Sequence, residues 1–326
     1  MKAGDTLNFK KKVAVFTALT GSTLGIMHII NRLVYYISTV DNLLDSDKYN
    51  YYDWRFGKIA YKNQGTGSPI LLIHDLTVGS SSYEWSKITE TLSKTNTVYT
   101  IDLLGCGCSD KPNLTYTNFL YVQMINDFIK HVIGEKTDVV VSGLSSSFVI
   151  MACANDPTNI NRVISVNPEN LVSLAKIPTK RTKLMKHLIS APILGTFIYN
   201  IAVNKKTIGQ DFYSSYYYNQ NLIDEKSIMT YFESSHKKNT HSKYLYASQK
   251  GRYTNSNILY CLHKLTNSIF IIIGNSNPEY GLIANQYQNQ LPSIEIIGIN
   301  KTKHLPHMER PDEFIEQIKI LFSEEK

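Results

Sequence analysis

Reactive residue types concentrate where serines follow a short β-branched run. The segment Val139-Val140-Val141-Ser142-Gly143-Leu144-Ser145-Ser146-Ser147 predicts a buried strand, a tight turn and the start of a helix. In this reading Ser145 stands at the apex of the turn. Its hydroxyl is pushed out of the top of a parallel sheet, against the N-terminus of the next helix. Small residues at Gly143 and Ser147 let strand and helix approach closely. The N–H after the serine, that of Ser146, then points to where an oxyanion would form. Serine-rich turns also simply cap helices, so the chemistry depends on what surrounds this one.

Three other stretches have the composition of site loops. Pro69-Ile70-Leu71-Leu72-Ile73-His74-Asp75 is a buried run ending in a histidine and a turn. Thr97 to Ile101 runs into the glycine-rich loop Asp102-Leu103-Leu104-Gly105-Cys106-Gly107-Cys108-Ser109-Asp110-Lys111-Pro112. Near the C-terminus, His304 and His307 lie between a last strand, Ile294 to Ile299, and a helix that starts at Pro311-Asp312-Glu313-Phe314. A neutral serine hydroxyl needs an adjacent base. His304 is placed to serve, with His307 as a competitor.

The elements that must position these residues alternate. Strands are predicted at about 54–61, 69–74, 97–102, 138–142, 162–167, 268–274 and 294–299, with a polar connector over 38–53. Helices are predicted at about 83–94, 116–134, 146–155, 280–289 and 311–323. Such alternation argues an α/β fold with a doubly wound, mostly parallel sheet. The stretch from about 170 to 262 breaks the pattern and is helical, lysine-rich and tyrosine-rich.

Taken in order, the histidine turn, the glycine-rich loop, the serine turn and His304 resemble the α/β-hydrolase superfamily, in its serine esterase or lipase-like form, over residues 50–322. The resemblance implies a core in two parts, 39–170 and 263–326, with a helical cap inserted at 171–262; residues 1–38 read separately, from their own composition, as a membrane anchor or appended helix. It implies Ser145 as nucleophile and His304 as general base. The oxyanion hole would use the N–H groups of Leu76 and Ser146, with His74 and His307 as supporting residues. The place usual for the acid, three residues past Gly274, holds Asn277. Asn277-Pro278-Glu279 and Asn167-Pro168-Glu169 both offer a displaced carboxylate. Glu279 is the leading candidate, with Glu169 and Asn277 as alternatives. Asp75 stands where the family has glycine, and Cys108 where a basic residue is common. A charge at Asp75 would oppose an oxyanion unless it turned away. Asp102 and Asp110 are read as loop-holding residues.

The expected function is a serine hydrolase cleaving a carboxylic ester or related small, apolar acyl substrate through an acyl-enzyme. A serine at this place argues against relatives that use aspartate, such as epoxide hydrolases. The alternatives are a catalytically disabled binding protein of the same fold at the membrane surface, or a membrane scaffold. No cofactor or metal site is expected. Cys106 and Cys108, one residue apart, suit neither a disulfide nor a zinc site.

The 326 residues carry a net charge of +7, without a nucleic-acid-binding motif. An anionic membrane surface fits this charge better. Lys10-Lys11-Lys12 precede Val13 to Ile30, 18 residues without Asp, Glu, Lys or Arg. That run is near the length of a membrane span, and no small-residue cleavage site follows it. Membrane attachment through residues 13–37 would leave the N-terminus inside and the catalytic domain outside the cytoplasm; the alternative is a cytoplasmic protein with an appended helix. Tyr35, Tyr36, Tyr49, Tyr51, Tyr52 and Trp54 would then lie near the interface.

Overall fold

The computed structural model describes residues 3–323. Eight strands form one sheet in the order β1-β2-β4-β3-β5-β6-β7-β8. They are β1 (Asn50–Trp54), β2 (Gly57–Gln64), β3 (Pro69–Ile73), β4 (Thr97–Ile101), β5 (Thr137–Ser142), β6 (Ile160–Val166), β7 (Ser268–Gly274) and β8 (Glu295–Ile299). β1 and β2 pair antiparallel, as do β2 and β4, and every pairing from β4 to β8 is parallel. β3 and β5 are buried along their whole length. That is why they read as continuous apolar runs: helices cover both faces of the sheet.

The start of the domain differs from the expectation. The single strand expected at 54–61 is a hairpin, and β1 comes from the supposed polar connector. Tyr49 and Trp54, expected near a membrane, are 7% and 6% exposed and pack inside the domain. A hairpin strand at a sheet edge needs only part of one face apolar, so its period-two signal is short.

The helices are α1 (Ala3–Thr39), α2 (Ser86–Leu92), α3 (Asn118–Phe128) and α4 (Ser145–Asn155). Between β6 and β7 lie only helices: α5 (Leu171–Leu174), α6 (Lys180–Ser190), α7 (Ile193–Ala202), α8 (Lys205–Asp211), α9 (Glu225–Thr240), α10 (Lys243–Lys250) and α11 (Leu259–Lys264), with short helical turns. The chain closes with α12 (Pro278–Gln290), α13 (Pro306–Glu309) and α14 (Pro311–Ser323).

The strand order places the site. After β3 the chain winds to β4 on one side, then crosses to β5 on the other. A crevice opens at the carboxyl ends of strands where such winding reverses. His74 and Asp75 leave β3 there, and Gly143 leaves β5 beside them.

α1 is a two-part element. From Phe9 to Ile30 most of its apolar side chains are exposed, including Phe16, Leu19, Ile26 and Ile29. From Asn31 onward it packs on α7 and α9. The Asn31 side chain donates to the Ile193 carbonyl and accepts from Asn200, both at 3.0 Å. Past its end, the backbone N–H of Leu43 donates to the Glu233 carboxylate of α9 at 2.5 Å.

Candidate active site

β5 ends at Ser142, and the next residue alone takes a left-handed backbone: Gly143 has φ +56°. Leu144 is already helical, with φ −58° and ψ −28°, and α4 begins at Ser145. The sharp bend expected at Ser145 is therefore two residues earlier, at Gly143. The backbone reason is direct. Left-handed φ costs an L-residue about 1–2 kcal/mol, whereas glycine has no Cβ to object.

What lies against Gly143 is a carboxylate. A Cβ there would meet Asp75 Oδ1 at 2.2 Å and its Cγ at 2.3 Å. Asp75 Oδ1 accepts the Leu144 N–H at 2.8 Å. Oδ2 lies 3.4 Å from His304 Nε2. Asp75 does not itself need a positive φ, so aspartate fits where the family has glycine. Its charge is turned into the serine turn, onto the Leu144 N–H, one residue from Ser145. The backbone N–H of Asp75 donates to Glu84 Oε2 at 3.3 Å.

His304 reaches the site from the loop between β8 and α13. Nδ1 shares a 3.0 Å hydrogen bond with the Tyr280 hydroxyl of α12. Tyr216, between α8 and α9, stacks on the imidazole with ring centres 5.1 Å apart. Burial disfavours the charged imidazole, but hydrogen bonding and attraction to Asp75, with smaller pulls from Glu84 and Glu169, outweigh it. The net effect raises the pKa above the ordinary histidine value. Glu84 is fully buried. Desolvation first, then the nearby Asp75 charge, push its pKa up to about 7.

The other expected residues fall as follows. Ser145 is buried, and its hydroxyl donates to the His74 carbonyl at 2.7 Å. Ser146 N–H is taken by the Gly143 carbonyl at 3.2 Å, as an ordinary helical turn requires. The Leu76 N–H has no acceptor among the described residues. Asn277 caps α12 by accepting the Glu279 N–H at 3.1 Å, and Glu279 is exposed. Glu169 is close enough to pull on His304, but its Oε1 accepts the Asn170 N–H. The nitrogen of His304 that an acid would hold is held by Tyr280 instead. His74 accepts the Leu103 N–H at 3.0 Å and bonds the Asp75 carbonyl, so it ties loops together. His307 is stacked on Trp85 at 4.2 Å, with Nε2 3.6 Å from Glu84 Oε1. Burial holds its pKa well below the ordinary value. Asp102 accepts from Ser82 and Cys108 N–H groups, and Asp110 from that of Lys58.

Sequence reasoning saw Asp75 only as a departure from glycine and Gly143 only as a small packing residue, and it passed over Glu84, Tyr216 and Tyr280 altogether. One signal was available: an aspartate in a glycine position, with a glycine two residues before the serine. Only their contact gives that pair meaning.

The sequence model of the alpha/beta hydrolase fold matches residues 68–311. The chain belongs to that family. An uncharacterized protein of Mycobacterium tuberculosis is 30% identical over 134 residues, 41% of this chain. The match spans 37% of that relative's length. Among solved structures, a serine hydrolase involved in carbazole degradation superposes with TM-score 0.69 at 16% identity, over 84% of this chain and 98% of that one. A membrane phospholipase A described as a bacterial virulence factor superposes with TM-score 0.63 at 14% identity, over 96% of this chain and 98% of that one. At such identities the likeness is one of fold, and the fold and these neighbours support a hydrolase.

Proposed function

We propose that this chain is a membrane-anchored hydrolase in which Asp75 is the nucleophile and His304 activates the hydrolytic water. The carrying observation is the placement of Asp75. Its carboxylate fills the space left by Gly143, with one oxygen on the Leu144 N–H and the other 3.4 Å from His304.

A carboxylate attacks best at a saturated carbon that bears a leaving group, as in an epoxide or an alkyl halide. Oδ2 forms the new C–O bond, and the leaving group departs with its electron pair. The product is an ester of Asp75. Water then adds to the ester carbonyl carbon while His304 Nε2 takes its proton. Negative charge gathers on Oδ1, which already holds the Leu144 N–H and lies by the loop that carries the Leu76 N–H. Collapse expels the alcohol, which takes the proton back from His304, and leaves Asp75 as a carboxylic acid; that acid returns to carboxylate by giving its proton to water or, for an epoxide, by balancing the proton the opened alkoxide took up. Tyr280 keeps the imidazole oriented throughout.

A serine acyl-enzyme acting on a carboxylic ester is the competing reading. It requires the Ser145 hydroxyl to leave the His74 carbonyl and reach His304. Turnover of an aryl epoxide, a primary haloalkane and an aryl ester in heavy-oxygen water separates the two. Aspartate chemistry carries heavy oxygen into the Asp75 carboxylate, read by peptide mass spectrometry, and survives Ser145→Ala. Fluorophosphonate labelling of Ser145, with ester turnover lost in Ser145→Ala, would overturn the proposal. A folded protein that turns over none of the three and reacts with no probe would favour the binding-protein reading.

Membrane attachment is assigned to α1, which is long and apolar enough to cross a bilayer and bears its apolar window on an exposed surface. Lys10, Lys11 and Lys12 before it favour an inside N-terminus, with the catalytic domain outside the cytoplasm. A cytoplasmic protein would instead stay soluble at the sedimentation step that pellets membranes.

A further inference from the structure

Where α1 meets the inserted helices there is a cavity of about 320 Å³. Its wall includes His28 and Arg32 from α1, Asn239 from α9, His241 from the turn after it, and Lys243 from α10. No carboxylate lines it among the described residues. Lys243 Nζ donates to the carbonyls of Ala191 and Pro192 and to the Thr196 hydroxyl, at 2.8–3.0 Å. These are neutral acceptors, so the cation has no countercharge. Burial lowers the Lys243 pKa to about 8, a penalty that a bound anion would relieve. Arg32 donates to the Asn239 side chain at 3.1 Å and likewise has no carboxylate partner among the described residues. α9 breaks at Lys237–Asn239, with left-handed φ at Lys238 and Asn239, and this break brings Asn239 to Arg32.

The position of this cavity along α1 is informative. At about 1.5 Å per residue, Val13 to Arg32 covers about 30 Å, the thickness of a bilayer's hydrocarbon core. With Lys12 at one face, Arg32 and its cavity lie at headgroup level on the other. Beside it, α6 packs on α7 and α10. It carries Lys180, Arg181, Lys183 and Lys186 among the exposed Leu184, Met185 and Leu188. A basic helix with exposed apolar side chains suits an anionic lipid surface.

We propose that the cavity between α1 and the inserted helices holds the phosphate headgroup of an anionic phospholipid, whose acyl chains run along the exposed stretch of α1. The assignment rests on α1 being the membrane anchor. The lipid locks the anchor to the helices inserted between β6 and β7.

The test uses the delipidated full chain in neutral detergent, titrated with phosphatidylglycerol, phosphatidylcholine or inorganic phosphate, with thermal unfolding and native mass spectrometry as readouts. Phosphatidylglycerol is expected to bind and raise Tm, with phosphatidylcholine far weaker. Binding should fall about fivefold for each cation removed, in Arg32→Gln and in Lys243→Gln. Arg32→Lys should retain most of it, which separates charge from a folding defect. Equal effects of the two lipids, or unchanged binding in both Gln variants, would overturn the assignment. Inorganic phosphate matching phosphatidylglycerol would assign the cavity to a soluble anion and remove the lipid. Flotation with neutral vesicles tests the anchor separately. A parent chain that does not float shows the membrane reading itself to be wrong, whereas one that floats without lipid selectivity loses only the headgroup site.

Discussion

The carboxylate of Asp75 occupies the volume that a side chain at position 143 would need, its Oδ1 falling 2.2 Å from where the Cβ of residue 143 would stand. Aspartate on the turn after β3 and glycine on the turn after β5 are therefore one structural unit. A side chain at either turn can reach the end of the crevice, and only one of them can be there.

Exchanging the pair tests this complementarity. Gly143→Ser alone meets both a left-handed backbone and the Asp75 carboxylate, so it should destabilise the protein by about 1–3 kcal/mol and abolish turnover. Gly143→Ser combined with Asp75→Gly removes the clash and sets a hydroxyl beside His304. The double variant is expected to recover part of the lost stability in urea melts and to become reactive toward a fluorophosphonate. Recovery without reactivity would mean that His304 cannot serve a nucleophile at 143.

His304 should titrate above an ordinary histidine, because Asp75 attracts its charged form. The stabilisation from that attraction is complete below the unfolded value near 6.5 and is lost as pH rises through the raised folded value. The base works only when neutral, so the rate should climb with pH on a limb centred above 6.5. Asp75→Asn should bring the imidazole pKa down, as read from its ring proton shifts by NMR. An unchanged midpoint would remove Asp75 as the partner.

Glu84 gives stability the same direction of pH dependence by a different cause. Its folded pKa of about 7 exceeds the ordinary carboxyl value of 4.5 because burial and Asp75 disfavour the anion. The folded chain thus keeps a proton that the unfolded chain releases. Stability from this group is present below 4.5 and disappears as pH rises through 7. Glu84→Gln, which stays neutral, should flatten the fall in urea midpoint across that window while leaving the Asp75 N–H an acceptor. A parallel fall in parent and variant would contradict it.

Tyr280→Phe removes the hydroxyl on His304 Nδ1. The expected stability loss is about 1 kcal/mol, with turnover reduced by about tenfold because the imidazole is no longer held in one orientation. Ser145→Ala should behave differently. It gives up one buried hydrogen bond to the His74 carbonyl, again about 1 kcal/mol, with turnover kept. Comparison of kcat for these two variants ranks the phenol against the serine directly.

Much of the frame is carried by local pattern. The runs that became β3 and β7, and the middle of β5, are apolar because both sheet faces are covered, and Pro311-Asp312-Glu313 opens α14 where its composition says a helix begins. The same local reading placed the bend at Ser145, because Gly-x-Ser-x-Ser names a spacing and does not say which residue takes the left-handed φ. Tertiary packing chose Gly143: α4 starts early, Ser145 turns back onto the His74 carbonyl, and Asp75 fills the gap. Likewise the two Asn-Pro-Glu segments look like acid sites in sequence, yet Asn277 is spent capping α12 and His304 turns to Tyr280. The sequence by itself determined the alternation of strands and helices from β3 onward, the late histidine and the apolar N-terminal helix, since these follow from hydrophobic period and turn residues along the chain. Which side chains meet at the crevice was decided only by the fold, because strand order brings residues 75, 143 and 304 together and excluded volume lets a single side chain occupy the space among them.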